Sequence, residues 1–354
     1  MSSLRDSVLL DIRLGADARR HIAERGLSPR DITCMPAAAG GPKGLALLPF
    51  DRLFAREWLP QTKRIELIGA SIGAWRMAAL AHADPLRALD RLQTAYVREQ
   101  NYPHRPSTSQ VATVCRGVAR ALTKDTALRL ADRVSLSIIT ARARGPLAAG
   151  TRGAFARAAI ANTVARRRLA AHLERVVFQA GAPPRLAVRD DPFGYETVPL
   201  TQVNLEDALL ASGSIPLICD PVRNIPGAPS GDYWDGGLID FHLLLPYREL
   251  GVVVLYPHFV PWVTPGWLDK SLRWRARPRD HAWLANVVLI APSSAMLQRL
   301  PNGKLPDRSD FYHYGVDHAG RIAAWERAIA ECERFAEAAL AWLNQPDLSL
   351  ARPL

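Results

Sequence analysis

Ile65-Glu66-Leu67-Ile68, running into Gly69-Ala70-Ser71-Ile72-Gly73, is the stretch on which the reading of the fold turns. An apolar strand gives way here to a helix-like run that stops before Pro85, and a strand-to-helix turn this sharp exposes the side chain at its apex. The small residues Gly69 and Gly73 let strand and helix approach closely. That setting makes Ser71 a candidate nucleophile, although G-x-S-x-G also marks plain tight turns.

Outward from this turn the chain alternates strand and helix signals. Gly15 to Arg25 reads as a short helix stopped at Gly26, and Ser28-Pro29-Arg30-Asp31 as a turn into a first core strand, Ile32-Thr33-Cys34-Met35. A glycine-rich turn at 40 to 44 opens an apolar helical run to Trp58, and Pro85 to Gln100 repeats the helical period. Further strands are expected at Val134 to Thr140, Val176 to Gln179 and Gly251 to Tyr256. Asn204 stands at a helix start, where its side chain is expected to accept backbone N–H bonds, and Pro216 falls just past that helix's end. From His318 to Leu343 the residues Ile322, Trp325, Ile329, Cys332 and Phe335 recur at helical spacing as a core stripe. This order predicts an α/β fold, with helices packed on a mainly parallel sheet. It divides into a lead-in, 1–30, one main domain, 31–345, and a short tail, 346–354.

With 354 residues, 48% of them hydrophobic, the chain can bury a large core. Its four cysteines, Cys34, Cys115, Cys219 and Cys332, are widely spaced, which suits a reducing compartment better than a disulfide scaffold. Charges interrupt Met1 to Leu14, so it does not read as a signal peptide, and no later segment has the ~18 uninterrupted apolar residues of a membrane-spanning helix. A cytoplasmic protein is expected, peripheral at most to a membrane surface. The net charge of +11 favours acidic partners, anionic lipid or nucleic acid, or else reflects an Arg- and Ala-rich composition. Nucleic acid has only charge in its favour, since no zinc-finger spacing, aromatic RNA-binding run or basic zipper appears. Neither H-E-x-x-H, paired cysteines nor a dinucleotide fingerprint is present, so no metal and no cofactor are expected.

A serine hydroxyl needs a base to take its proton and donors for the oxyanion formed on attack. Gly40-Gly41-Pro42-Lys43-Gly44 opens a helix after the first strand, and its amides suit a small anionic group at a positive helix end. The same loop also suits a plain turn or a phosphate site, though G-x-x-x-x-G-K-[ST] is absent. Downstream, Tyr233-Trp234-Asp235-Gly236-Gly237 puts a carboxylate before two glycines.

These three elements in this order resemble the patatin-like phospholipases, lipid acyl hydrolases of bacteria and plants, over about residues 31 to 257. The resemblance implies a three-layer α/β/α fold and a Ser-Asp dyad cleaving lipid esters through an acyl-serine. Ser71 matches the family nucleophile and Asp235 the dyad aspartate. Gly40 and Gly41 match the oxyanion-hole glycines, Gly69 and Gly73 frame the nucleophile elbow, and Lys43, Gly44, Gly236 and Gly237 support the loops. Ala211-Ser212-Gly213-Ser214-Ile215-Pro216 is similar to the family's helix-ending segment, with Ser212 and Ser214 read as structural. The chain departs from the family pattern at Pro42, which lacks an amide donor, at Pro36, which interrupts the preceding strand, and at Asp240, where Asn is common.

Two other readings stay open. One is an α/β-hydrolase esterase with a Ser-Asp-His triad, its base His242, His313 or His318. The other is a non-catalytic, basic membrane-binding protein on the same scaffold. Trp262, Trp267, Trp274 and Trp283 lie among Arg273, Arg275 and Arg277, a mixture that suits either contact with anionic membrane or an ordinary core with solvated cations.

Overall fold

The computed structural model describes residues 9–123, 133–149, 151–181, 188, 191–272, 274–275 and 281–354. The strands among them are β1 (Leu10–Leu14), β2 (Ile32–Ala37), β3 (Ile65–Ala70), β4 (Val134–Ala143), β5 (Leu173–Ala180), β6 (Glu196–Pro199), β7 (Val222–Arg223), β8 (Asp232–Asp235), β9 (Val253–Pro257), β10 (Val287–Pro292) and β11 (Ala351–Pro353). They form one mixed, mainly parallel sheet in the order β11-β1-β10-β9-β2-β3-β4-β5-β6, with β8 joining β4 and β7. The central run β10-β9-β2-β3-β4 is parallel throughout. All residues of β3, β9 and β10 are buried, as strands covered on both faces must be. The fold is therefore α/β, as the alternating pattern predicts.

Residues expected to form a lead-in and a tail supply strands instead. In β1, Ile12 and Leu14 are buried and pair with β10, while the intervening Asp11 and Arg13 bond each other at 2.6 Å on the other face. β11 pairs with β1 in turn. Pro36 does not interrupt β2: it pairs with Ile68 on one side, and the β9 ladder on the other side ends at Cys34, before the proline. Asn204 precedes the helix Leu205–Gly213, but its oxygen accepts the amide of Thr201, and its Nδ2 donates to the carbonyls of Pro199 and Pro226. It closes the preceding turn and does not cap the helix.

The helix Ile72–Leu80 lies on β3, and the long helix His318–Asn344 packs on Leu48–Leu53 and on the 3-10 turn Gly41–Leu47. Trp325, Ile329, Cys332 and Phe335 are buried and Ile322 partly so, which makes the stripe core. A bidentate ion pair links the two helices that start beside the elbow: Arg76 donates to both oxygens of Asp51, at 2.7 and 2.8 Å, and both side chains are wholly buried. No helix of the described residues is long and apolar enough to cross a membrane.

Removing one partner would leave the other charge buried alone. Asp51→Ala is expected to lower the unfolding free energy by ~3–5 kcal/mol in a urea titration. A loss under ~1 kcal/mol would mean that water reaches Arg76.

Candidate active site

Ser71 follows the last residue of β3 and caps the helix Ile72–Leu80 with φ 56° and ψ −131°, a conformation that costs a side-chain-bearing residue roughly 1–3 kcal/mol. The flanking glycines hold it there. A Cβ at Gly73 would stand 2.0 Å from the carbonyl oxygen of Ala37, and one at Gly69 would stand 2.4 Å from the carbonyl carbon of Gly73. The Ser71 amide donates to Ser212 Oγ at 2.9 Å, and that hydroxyl donates to the carbonyl of Ile139 at 2.7 Å. Ser212, read from sequence as structural, thus anchors the elbow from a position 141 residues away.

Strand register accounts for the meeting of residues 71 and 235. β5 takes one edge of β4 over its whole paired length. On the other edge β3 runs parallel until Ala70 pairs with Ile139, and β8 arrives antiparallel until Asp235 pairs with Thr140. Two strand ends therefore face each other across one step of β4, with Ser71 just beyond the first and Asp235 closing the second. A Cβ at Gly236 would lie 2.3 Å from the Ile139 carbonyl oxygen, so the turn after Asp235 needs glycine to fit.

Asp235 is buried, 6% exposed, and its Oδ1 accepts the Gly237 amide at 2.7 Å. Burial pushes its carboxyl up to about 6, against the downward pull of hydrogen bonds from the Ser71 hydroxyl and the Gly237 amide and of the Arg308 charge. Ser71 and Asp235 line one cavity of about 270 Å³, together with Gly40, Gly41, Lys43 and Gly237. Gly41, at φ 57°, starts the 3-10 turn, and amides at the start of a helical run have no intrahelical acceptor. The loop is tied down by the bond from the Ala39 amide to the Phe241 carbonyl, 2.9 Å. At Gly44 a Cβ would meet Ile72 at 2.7 Å, so glycine lets the two helix starts touch.

The histidines of the alternative triad stand elsewhere. His242 is buried against Phe241 and His258, accepts the Thr264 amide at Nδ1, and is held well below the usual histidine range by burial. His313 is exposed on the helix Ser309–Tyr314, and His318 begins the long helix. No histidine is among the residues lining the cavity. Asp240 is buried and bound by Arg175 at 2.6 and 2.8 Å, so the carboxylate in place of the family's Asn serves a core ion pair.

The sequence reading did not place Lys270, Arg308, Phe241 or Asp307 at the site, yet all four line the cavity, together with Ile215 and Pro216 of the segment it read as similar to the family's. Of the proposed membrane residues, Trp267 also lines it, Trp274 is 72% exposed and Trp262 is half-buried. Arg275 is not a free surface cation: it donates to Asp269 at 3.1 Å and to the carbonyls of Asn162 and Thr163 at 2.6 and 2.8 Å. Arg273 and Arg277 lie outside the described residues.

The family model for patatin-like phospholipases matches residues 66–246. No curated protein matches the chain. Among solved structures, the crystal structure of VipD from Legionella pneumophila is similar over 70% of this chain and 53% of that one, at 14% identity and a TM-score of 0.29. The chain thus spans about half the length of that structure.

Ser212→Ala would leave the Ser71 amide buried without an acceptor. We expect a loss of ~1–3 kcal/mol in stability on chemical denaturation, and slower labelling of Ser71 by a fluorophosphonate. Labelling at the wild-type rate would show that the elbow keeps its shape without this anchor.

Proposed function

The chain belongs to the patatin-like phospholipase family, and from that premise we propose that it is a serine acyl hydrolase that cleaves carboxylic ester bonds of lipids with Ser71 and Asp235 as a dyad. The observation that carries the reading is a strained serine at the apex of the elbow that shares a cavity with a buried carboxylate, whose acidity the serine hydroxyl influences directly.

Asp235 takes the proton from Ser71 Oγ as the oxygen attacks the ester carbonyl, and the carbonyl π electrons move to oxygen. The amides of Gly40 and Gly41 stabilise that oxyanion. Collapse of the intermediate breaks the bond to the alcohol, which leaves with the proton from Asp235. Water then attacks the acyl-serine while Asp235 again accepts a proton, and the acid departs as Ser71 regains its hydrogen. A carboxylate of ordinary acidity is too weak a base for this work. Burial is what brings Asp235 nearer to the operating pH.

Against a Ser-Asp-His triad stands the composition of the cavity wall, which contains no histidine, and the occupation of His242 Nδ1 by a backbone amide. Lipid as substrate is supported by apolar side chains at the mouth. Leu217 and Ile218, 53% and 40% exposed, follow Pro216 of the wall and offer apolar surface for contact with lipid.

On a water-soluble short-chain ester, kcat/KM is expected to fall about tenfold per pH unit below about pH 6, where Asp235 takes a proton and can no longer act as base, and to be level above pH 7. A limb centred near pH 7 that disappears in His242→Ala would overturn the dyad in favour of a triad. Ser71→Ala and Asp235→Asn should each lower kcat/KM by at least ~10³-fold. Ester hydrolysis unchanged in Ser71→Ala would end the proposal.

A further inference from the structure

Three cations, Lys43, Lys270 and Arg308, line the cavity of Ser71. Lys43 is half-buried in the glycine loop, Lys270 is exposed in the last turn of the 3-10 segment Trp267–Ser271, and Arg308 is half-buried opposite Gly41. None of the three forms an ion pair among the described residues. Their contacts are instead with ring faces: Lys43 lies 5.6 Å from the centre of Phe259, Lys270 lies 5.8 Å from Phe241 and Arg308 lies 6.0 Å from Trp267. Only two carboxylates line the same space. Asp235 is the proposed base, and Asp307 is taken by Lys304 at 2.9 Å and by the Ser309 amide at 2.8 Å.

Like charges gathered in a partly desolvated cleft repel one another, and such an arrangement is relieved when an anion enters. Lys43 reports the tension: its ammonium is held below the usual lysine range by burial first and by the nearby Lys270 next. The remaining wall is apolar, with Ile215, Pro216, Leu238 and Phe241. An acyl chain suits that side. The cationic side is then left to the alcohol half of the ester.

We propose that Lys43, Lys270 and Arg308 form an anion subsite beside Ser71, which binds a phosphate or carboxylate on the alcohol portion of the ester and selects substrates of uncompensated negative charge over zwitterionic and neutral ones. This rests on the serine hydrolase reading above. A zwitterionic head group brings its ammonium toward the same three cations and loses the advantage. The cavity, about 270 Å³, has room for a head group and the ester, while the chains run out past the mouth.

Binding and turnover separate this proposal from its parent. Ser71→Ala protein is titrated with short-chain diether lipids, which cannot be hydrolysed, bearing either a phosphate or a phosphocholine head group, below their micelle concentrations. The phosphate-headed lipid is expected to bind roughly 10- to 100-fold more tightly. Adding Lys270→Ala and Arg308→Ala should bring the ratio to within about threefold, while Lys270→Arg with Arg308→Lys should retain most of it. The corresponding esters should show the same ratio in kcat/KM with otherwise wild-type protein. Equal binding of the two diethers, or a ratio untouched by the alanine pair, would overturn the subsite. Inorganic phosphate binding more tightly than the phosphate-headed lipid would also overturn it, and would mark a site for the free anion. Should the wild type cleave no ester while the diether preference stands, the hydrolase reading fails and the anion subsite survives.

Discussion

One edge of β4 is shared by two strands that arrive from opposite directions, and the geometry of the candidate site follows from that sharing. β3 ends where Ala70 meets Ile139, and β8 ends where Asp235 meets Thr140. Backbone ladders fix both ends to a fraction of an ångström, because every rung is a hydrogen bond whose loss in a buried sheet is costly. The hydroxyl and the carboxylate are therefore carried by rigid strand termini and not by long loops. The carbonyl region of Ile139 sits at the centre of the junction: it receives the Ser212 hydroxyl and abuts Gly236 so closely that no side chain fits there.

The same precision has a thermodynamic cost. Ser71 holds a backbone conformation that is unfavourable for any residue with a Cβ, and Asp235 is a carboxyl that the folded protein would rather keep protonated. Raising an aspartate from 3.8 to about 6 means that ionisation disfavours the fold by on the order of 3 kcal/mol. The cost is absent below the unfolded group's range, grows as pH rises through the interval between the two values, and is complete above about pH 6. It is present, then, under the conditions in which a base must be ionised to act. The buried Asp51–Arg76 and Asp240–Arg175 pairs lie next to these strained elements and lock their neighbours in place.

What was legible in the sequence was local. Gly-x-Ser-x-Gly and Asp-Gly-Gly record close backbone approaches, and each glycine named there, Gly69, Gly73, Gly236 and Gly237, faces an atom within 3 Å of where a Cβ would be. Five of the eleven described strands and the principal helices around the site declared themselves through periodicity, while the short strands and the sheet's β1, β10 and β11 edge did not. β1 was missed although Leu10-Asp11-Ile12-Arg13-Leu14 alternates apolar and charged residues with a period of two, because its charges were weighed only against a signal peptide. Ser212, Lys270 and Arg308 carried no such signal. Their roles arise from contacts between segments distant in the chain, where one serine or arginine looks like any other. Within the arginine-rich tryptophan segment, where clustered charge suited either membrane contact or solvated cations, Arg275 takes neither role: it is spent on Asp269 and on two helix-end carbonyls.

Net charge and local charge also answer different questions here. A balance of +11 spread over the molecule draws anions from a distance in a way that salt screens away within about 8 Å at physiological strength. The buried Arg76 and Arg175 and the half-buried Arg142 contribute little even to that, since each faces a carboxylate within 3 Å. Among the described residues Lys43, Lys270 and Arg308 form no ion pair and are collected at a single cavity, each beside an aromatic ring. A ring face tolerates a cation without neutralising it as a carboxylate does. Their charge stays available to an incoming group at contact distance, where the apolar wall strengthens it and salt screens it less than across open solvent. On the proposed reading, discrimination between substrates would be set by these three side chains at the cavity, not by the composition of the rest of the chain.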